Sequence, residues 1–273
     1  MLSLAKLNKE LESLFIKANS IPHGNTSLPL ADESVDCIVT SPPYWGLRRY
    51  GSSPEEFGCG SLGEYLSDWL RLSSELWRVL KRDGTFWLNI GDTAIGSGGA
   101  GGDHNRSGAK SHIPKYKQGD SWLRRHQWGN IPAILTTSMQ MEPAPGTEDS
   151  KKTPMWLLRS EIIWDKSPKV ERCAGDHVRR PKVSHEKIYM FAKSDDYKFY
   201  FDRLVEPGSV WHFDPNATGD KGYAPFPDEL AYRCIMPSTD IGDVVLDPFS
   251  GSGTTVYVAD SNCRTGIGFE LYL

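Results

Sequence analysis

The stretch Asp243-Val244-Val245-Leu246-Asp247-Pro248-Phe249-Ser250-Gly251-Ser252-Gly253-Thr254-Thr255 decides the fold. An apolar strand ends at Asp247, Gly251 and Gly253 flank Ser252, and Thr254 and Thr255 begin a helix. Glycines at such a turn let the backbone approach a ligand closely, and the unpaired N–H groups of the helix start favour an anionic group. A second strand, Gly266-Ile267-Gly268-Phe269-Glu270, ends in an acid nineteen residues after Gly251. An acid at that distance can accept hydrogen bonds from a ribose diol. Strand, glycine turn, helix and strand in this order imply an α/β sheet with mostly parallel strands.

Upstream, SVDCIVT (34–40) is a short β-branched run that stops at Ser41-Pro42-Pro43. Two prolines cannot continue a strand in a sheet interior, so the chain leaves the sheet there. The prolines stiffen the loop, and Ser41 and Tyr44 place a hydroxyl and an aromatic plate beside carbonyl acceptors. Such a loop suits a planar amine; it also suits a plain strand-terminating turn with a packed Tyr. Ser61-Leu62-Gly63-Glu64 is a capping box. The helix behind it has Leu62, Leu66, Trp69, Leu76 and Val79 as its apolar stripe and Glu64, Asp68, Arg71, Glu75 and Arg78 as its wet face. Gly84 is read as its end and TFWLNIGD (85–92) as the next buried strand. Residues 5–17 read as a short amphipathic helix on Leu7, Leu11, Leu14 and Phe15. Residues 96–153 are rich in Gly, Ser, His and Pro with little periodicity, and LLRSEIIWDK (157–166) and HEKIYMFAKS (185–194) are strand-like.

Composition narrows the class. The 273 residues suffice for one sizeable core but are short for two full domains. With 9 Trp, 10 Phe, 11 Tyr and a net charge of −4, the chain cannot be disordered as a whole. No run approaches the roughly 20 apolar residues of a membrane span. The first fifteen residues carry Lys and Glu through their apolar run and have no small-residue cleavage site, which argues against a secretory signal. Cys37, Cys59, Cys173, Cys234 and Cys263 are scattered and form no CxxC pair, which fits a reducing cytoplasm. His104, His112 and His126 have no cysteine partners and wide spacing, so no metal site is expected. The pI near 6.0 still allows a local basic face for nucleic acid.

Together, Thr40-Ser41-Pro42-Pro43-Tyr44-Trp45 and Asp247-Pro248-Phe249-Ser250-Gly251-Ser252-Gly253 resemble the two motifs of the DNA amino-methyltransferases, which methylate exocyclic amines with S-adenosylmethionine. The catalytic motif precedes the cofactor motif, an order similar to the beta class, which is circularly permuted. Gly24-Asn25, WLNIGD, LRSEIIWDK, HEKIYMFAKS and Phe226-Pro227-Asp228-Glu229-Leu230 fall in the family's order, so the likeness covers nearly the whole chain. It departs at Asn25, where the family usually has Asp near the adenine, and in stopping three residues after Glu270, where relatives usually continue into a helix.

The resemblance implies a Rossmann-like methyltransferase fold over residues 1–273, a mostly parallel twisted sheet with helices on both faces and permuted motif order. It implies Ser41, Pro42, Pro43 and Tyr44 as catalytic residues. Asn25, Asp247, Phe249, Gly251, Ser252, Gly253, Thr254, Thr255 and Glu270 would hold S-adenosylmethionine. The target base is flipped out of double-stranded DNA, Tyr44 stacks on it, and the Ser41 hydroxyl and Pro42 carbonyl orient the amine for direct displacement. Ser41 favours cytosine N4, since adenine-N6 enzymes more often carry Asp there; an adenine-N6 enzyme is the alternative within the fold. C5 chemistry would need a cysteine after a proline, and none stands there. An inactive DNA-binding module is the rival of another class, and the intact motifs argue against it.

Trp45, Arg48 and Arg49 read either as DNA contacts or as one packed Trp and two solvated arginines. Two regions are candidates for sequence recognition. One is the loop-rich insertion 93–153, where residues 106–125 hold six Lys/Arg against one acid. The other is the basic loop 167–182, with Lys169, Arg172, Arg179, Arg180 and Lys182. The family also implies a cytoplasmic bacterial, archaeal or viral enzyme, as monomer or homodimer, with a cognate restriction endonuclease as a possible partner.

Overall fold

The structure is a computed structural model that describes residues 14–17, 27–45, 57–58, 60–93, 123–124, 127–142, 155–166, 181, 183–215 and 226–270. Its centre is an eight-stranded sheet. In chain order the strands are β1 (Leu14–Lys17), β2 (Val35–Thr40), β3 (Leu80–Ile90), β4 (Leu157–Asp165), β5 (His185–Ala192), β6 (Val210–His212), β7 (Val244–Asp247) and β8 (Thr265–Glu270). Their spatial order is β1-β8-β7-β2-β3-β5-β4-β6. All neighbours run parallel except at β5, which is antiparallel to both β3 and β4.

Among the described residues, four α-helices cover the sheet: α1 (Leu62–Val79), α2 (Ile131–Met141), α3 (Asp228–Ile235) and α4 (Thr254–Ser261). Strand alternation sends side chains to two separate cores. Ile38, Phe86, Leu88, Tyr189, Phe191 and Leu246 pack with α1 and α2. Cys37, Val39, Trp87, Ile188, Met190 and Val245 pack with α3 and α4. The expected sheet with helices on both faces is therefore present.

The crossover from β2 through α1 to β3 moves one way along the sheet, and that from β7 through α4 to β8 moves the other. Right-handed crossovers in opposite directions put their helices on opposite faces. The boundary between β2 and β7 is thus the topological switch point, where α/β sheets open a crevice at the carboxyl ends of their strands.

Local chemistry sets several element ends. Ser61 and Glu64 form the expected capping box: the Ser61 N–H donates to Glu64 Oε2 at 2.7 Å and the Glu64 N–H to Ser61 Oγ at 3.2 Å. Three readings are corrected. The helix does not run to Gly84; it ends at Val79 and β3 begins at Leu80. Val35 pairs with Leu80 and Cys37 with Thr85, so residues 81–84 bulge out of the ladder. A Cβ on Gly84 would lie 2.7 Å from the Asp36 carbonyl oxygen, so its glycine serves close approach inside the sheet. Asp68, expected on the wet face, is buried and ion-paired with Arg71. Of the amphipathic run 5–17, residues 14–17 form β1 along the edge of β8, where ladder hydrogen bonds override helical periodicity; residues 5–13 lie outside the described ones.

Among its described residues, the insertion holds a helix that its Gly/Ser/Pro-rich sequence hides. Ile131, Leu135 and Met139 recur at helical spacing on the buried side of α2. The Trp69 indole of α1 donates to Met139 Sδ at 3.2 Å. Among the described residues no helix is long and apolar enough to cross a membrane.

Two glycines of β8 let α4 lie directly on the sheet. A Cβ at Gly266 would sit 2.8 Å from both Val256 Cα and its carbonyl oxygen. Because backbone cannot yield as a side chain can, Gly266→Ala should destabilise the protein by roughly 1–3 kcal/mol. Thermal unfolding followed by circular dichroism would check this, and an unchanged melting temperature would refute the close-packing account.

Candidate active site

The site builds up from one buried carboxylate. Asp247 ends β7 and is 1% exposed. Its Oδ1 accepts from the Thr40 hydroxyl at 2.6 Å and from the Phe249 N–H at 3.0 Å. Its Oδ2 accepts from the Thr255 hydroxyl at 2.6 Å. Burial pushes the carboxyl up to about 6 against those hydrogen bonds, which pull it down. Asp247 thus ties together the end of β2, the glycine turn and the first turn of α4. Asp247 and Thr255, both assigned to the cofactor from the sequence, are buried and bonded to each other.

The glycine turn follows. Gly251 and Gly253 have φ of +52° and +85°, a region that favours glycine. Ser250 donates from its N–H and hydroxyl to the Phe269 carbonyl at 2.9 and 3.1 Å, which locks the turn to the end of β8. The Gly251 N–H donates to Glu270 Oε2 at 2.8 Å. The anion expected at this turn is here the chain's own Glu270. Phe249 is half-buried with its ring centroid 5.0 Å from that of Phe57. Ser252 is exposed, and half-buried Thr254 opens α4. Asn25 lies outside the described residues.

The Ser41–Tyr44 loop begins one residue after Thr40. Pro42 is buried, and Ser41, Pro43 and Tyr44 are half-buried. The Pro43 carbonyl accepts from the Tyr65 hydroxyl of α1 at 3.2 Å. The Tyr44 hydroxyl lies 3.4 Å from Ser41 Oγ, donates to Glu186 Oε2 at 3.0 Å, and approaches Asn89 Oδ1 at 3.4 Å. Trp45 is half-buried against the α1-side core and its indole donates to the Gly60 carbonyl at 3.0 Å. Arg48, Arg49, Lys169, Arg172, Arg179, Arg180 and Lys182 lie outside the described residues.

Several further residues stand at the site, within segments that the resemblance covers but without a role assigned from the sequence. Thr40, Asn89, Gly91, Asp92, Lys166 and Glu186 all stand at or just beyond the carboxyl edge of the parallel strands. Asn89 carries a signal, a polar residue inside the buried run WLNIGD. Asp92 accepts from the Thr93 and Ile131 N–H groups at 2.8 and 3.2 Å, fastening α2 to the end of β3, and burial raises its carboxyl above the usual value.

A glycine turn at the switch point of a mostly parallel α/β sheet, with an acid closing the next strand, defines a Rossmann-like nucleotide-binding class. The signature of the N6 and N4 group of DNA methylases matches residues 35–273. Type II methyltransferase M.SmaI of Serratia marcescens is 34% identical over 89% of this chain and 82% of its own. Type II methyltransferase M.Cfr9I of Citrobacter freundii is 36% identical over 89% of this chain and 79% of its own. The cytosine-N4-specific PvuII DNA methyltransferase shares the fold at a TM-score of 0.63 and 19% identity, over 89% of this chain and 77% of that one. A proposed DNA modification methylase from Thermus thermophilus, solved with S-adenosyl-L-methionine, superposes at 0.56 with 25% identity over 89% and 82%. The chain belongs to the DNA methylase family and is a DNA methyltransferase.

The state of Asp247 gives a pH prediction. Its carboxyl titrates near 3.8 in the unfolded chain and at about 6 in the folded one. Between those values only the folded chain keeps the proton, so this group's stabilisation is full below about pH 4 and lost as pH rises through about 6. The loss amounts to roughly 3 kcal/mol. Asp247→Asn removes the ionisation. Denaturant unfolding of both proteins from about pH 4 to pH 7 should show the wild type losing stability relative to the variant. A constant difference across that range would show that the buried carboxyl is not raised.

Proposed function

We propose that the enzyme methylates the exocyclic N4 amine of cytosine in double-stranded DNA, on a base flipped out of the stack. The observation that carries this reading is Ser41 at the head of the Pro-Pro-Tyr loop, held at the switch point by the Thr40–Asp247 hydrogen bond. When bound, S-adenosylmethionine supplies an electrophilic methyl group on a sulfonium. The donor set fits it. Glu270, half-buried at the end of β8, offers a carboxylate to ribose hydroxyls, and Gly251, Ser252, Gly253 and Thr254 bring backbone close without large side chains. Phe249 adds an apolar wall, Asn25 is assigned to the adenine end, and Asp247 and Thr255 act indirectly by holding the turn.

The flipped cytosine enters against Tyr44, which replaces stacking worth roughly 1–3 kcal/mol. Its amine is conjugated to the ring and is a poor nucleophile. N–H donation to the Ser41 hydroxyl and the Pro42 carbonyl draws the nitrogen toward sp3 geometry and frees its lone pair. With its lone pair freed, the nitrogen would take the methyl group as the bond to sulfur breaks, and would then shed one proton to water. Cys37 and Cys234 do not suit cysteine-based C5 chemistry, being buried with their thiols pushed up, Cys37 to about 12, and the exposed Cys263 follows Asn262 rather than a proline.

We assign sequence recognition to the basic loop 167–182, whose position before the Phe226-Pro227 segment follows the family's order, with the insertion 93–153 as the second candidate. Type II relatives support a role beside a cognate endonuclease. If Arg179 and Arg180 hold phosphates, the dependence of DNA affinity on salt, roughly −0.9 per neutralised phosphate, should flatten in the double alanine variant. An unchanged slope would move the contact to residues 106–125.

The decisive test is nucleoside analysis of DNA exposed to the enzyme and S-adenosylmethionine, with sequence-resolved mapping of the modified base. N4-methylcytosine is expected; N6-methyladenine would overturn the cytosine assignment. Ser41→Ala should slow methyl transfer by the roughly 2–4 kcal/mol of a lost transition-state hydrogen bond, with cofactor affinity kept. Wild-type turnover in that variant would remove Ser41 from the chemistry.

A further inference from the structure

We infer that Glu186 is a positioning residue for the Tyr44 ring, an inference that rests on the reading of Tyr44 as the plate for the flipped base. Two independent features fix that ring. At its hydroxyl end, Tyr44 donates to Glu186 Oε2 at 3.0 Å. On its edge it meets Gly91, where a Cβ would fall 2.6 Å from Tyr44 Cε2 and 3.1 Å from Cδ2. Glycine at 91 leaves the ring its place, and the carboxylate sets the angle at which it stands.

The carboxylate is itself held. Lys166, just beyond β4, makes an ion pair with Glu186 Oε1, which leaves Oε2 to the tyrosine. The Lys166 ammonium lies 4.1 Å from the centre of the Trp164 ring, and its backbone N–H donates to the Ser184 carbonyl at 2.8 Å. Trp164 is buried and stacked on Phe213 at 4.8 Å between ring centroids. The hydroxyl of a loop tyrosine is thus referred, through Glu186 and Lys166, to rigid side chains of β4 and β5. Stacking needs only the ring, but a ring free to swing about χ1 and χ2 offers a flipped base no fixed plane. A base held off its plane by a fraction of an ångström presents its amine badly to the methyl group.

This account makes the Tyr44 hydroxyl and the Glu186 carboxylate one unit. Tyr44→Phe and Glu186→Ala should each lower kcat by roughly ten- to a hundredfold, the range for losing a hydrogen bond to a charged group. The double variant should be no worse than the poorer single one. Glu186→Gln, which keeps an oxygen acceptor, should recover part of the loss. The dissociation constant for S-adenosylmethionine and the melting temperature should stay at wild-type values, readouts that a merely structural role would move. Multiplying losses in the double variant, wild-type kcat in Tyr44→Phe, or a falling melting temperature that accounts for the loss would overturn the inference while leaving base methylation intact. Failure of the wild type to methylate any base in DNA would overturn the reading beneath it and the inference with it. Should Glu186→Ala not fold, Tyr44→Phe and Glu186→Gln carry the same comparison.

Discussion

A single ionisable group, the Asp247 carboxylate, decides how the two halves of the site face each other. Thr40 and Asp247 are 207 residues apart in the chain, yet their side chains meet at 2.6 Å across the β2–β7 boundary. Ser41 follows one of them and Phe249 lies two residues after the other, so a fixed contact between them fixes the distance between catalytic loop and glycine turn. Removing a partner from a buried carboxylate costs more than making the bond contributed, because the group is left desolvated and unpaired. The knot therefore acts as a joint with one accessible geometry. Chain order is irrelevant to such a joint: a permuted sequence reaches the same contact so long as β2 and β7 remain neighbours.

The same logic separates what can be read from the sequence from what cannot. The end of β2 at the prolines, the capping box of α1 and the strand–turn–helix–strand unit at 243–270 are governed by neighbours within a few residues, and they are legible. The start of β3 is not, because residues 81–84 bulge to suit a partner strand far upstream. Helix α2 is hidden although Ile131, Leu135 and Met139 keep their spacing, because glycines and prolines on both sides mask a short signal. Asp68 looks wet by periodicity and is buried beside Arg71. Asp247 is legible as part of the cofactor motif, but its orientation inward depends on two threonines, one of them on a strand far away in sequence.

The reversed strand β5 shows why the site extends beyond its motifs. In a wholly parallel sheet, the first residues of every strand lie at the edge opposite the crevice. Because β5 runs against β3, Lys187 pairs with Ile90 and the start of β5 arrives at the carboxyl edge. Glu186 thereby comes within reach of Tyr44, 142 residues earlier in the chain. No local pattern announces this meeting; HEKIYMFAKS reads only as a strand. Once the direction of β5 is known, its first residues lie at the same edge of the sheet as the loop after β2. An acid there is then either a liability beside a polar substrate or a fixture that holds something in place. The Lys166 ammonium on one oxygen and the Tyr44 hydroxyl on the other leave it the second role.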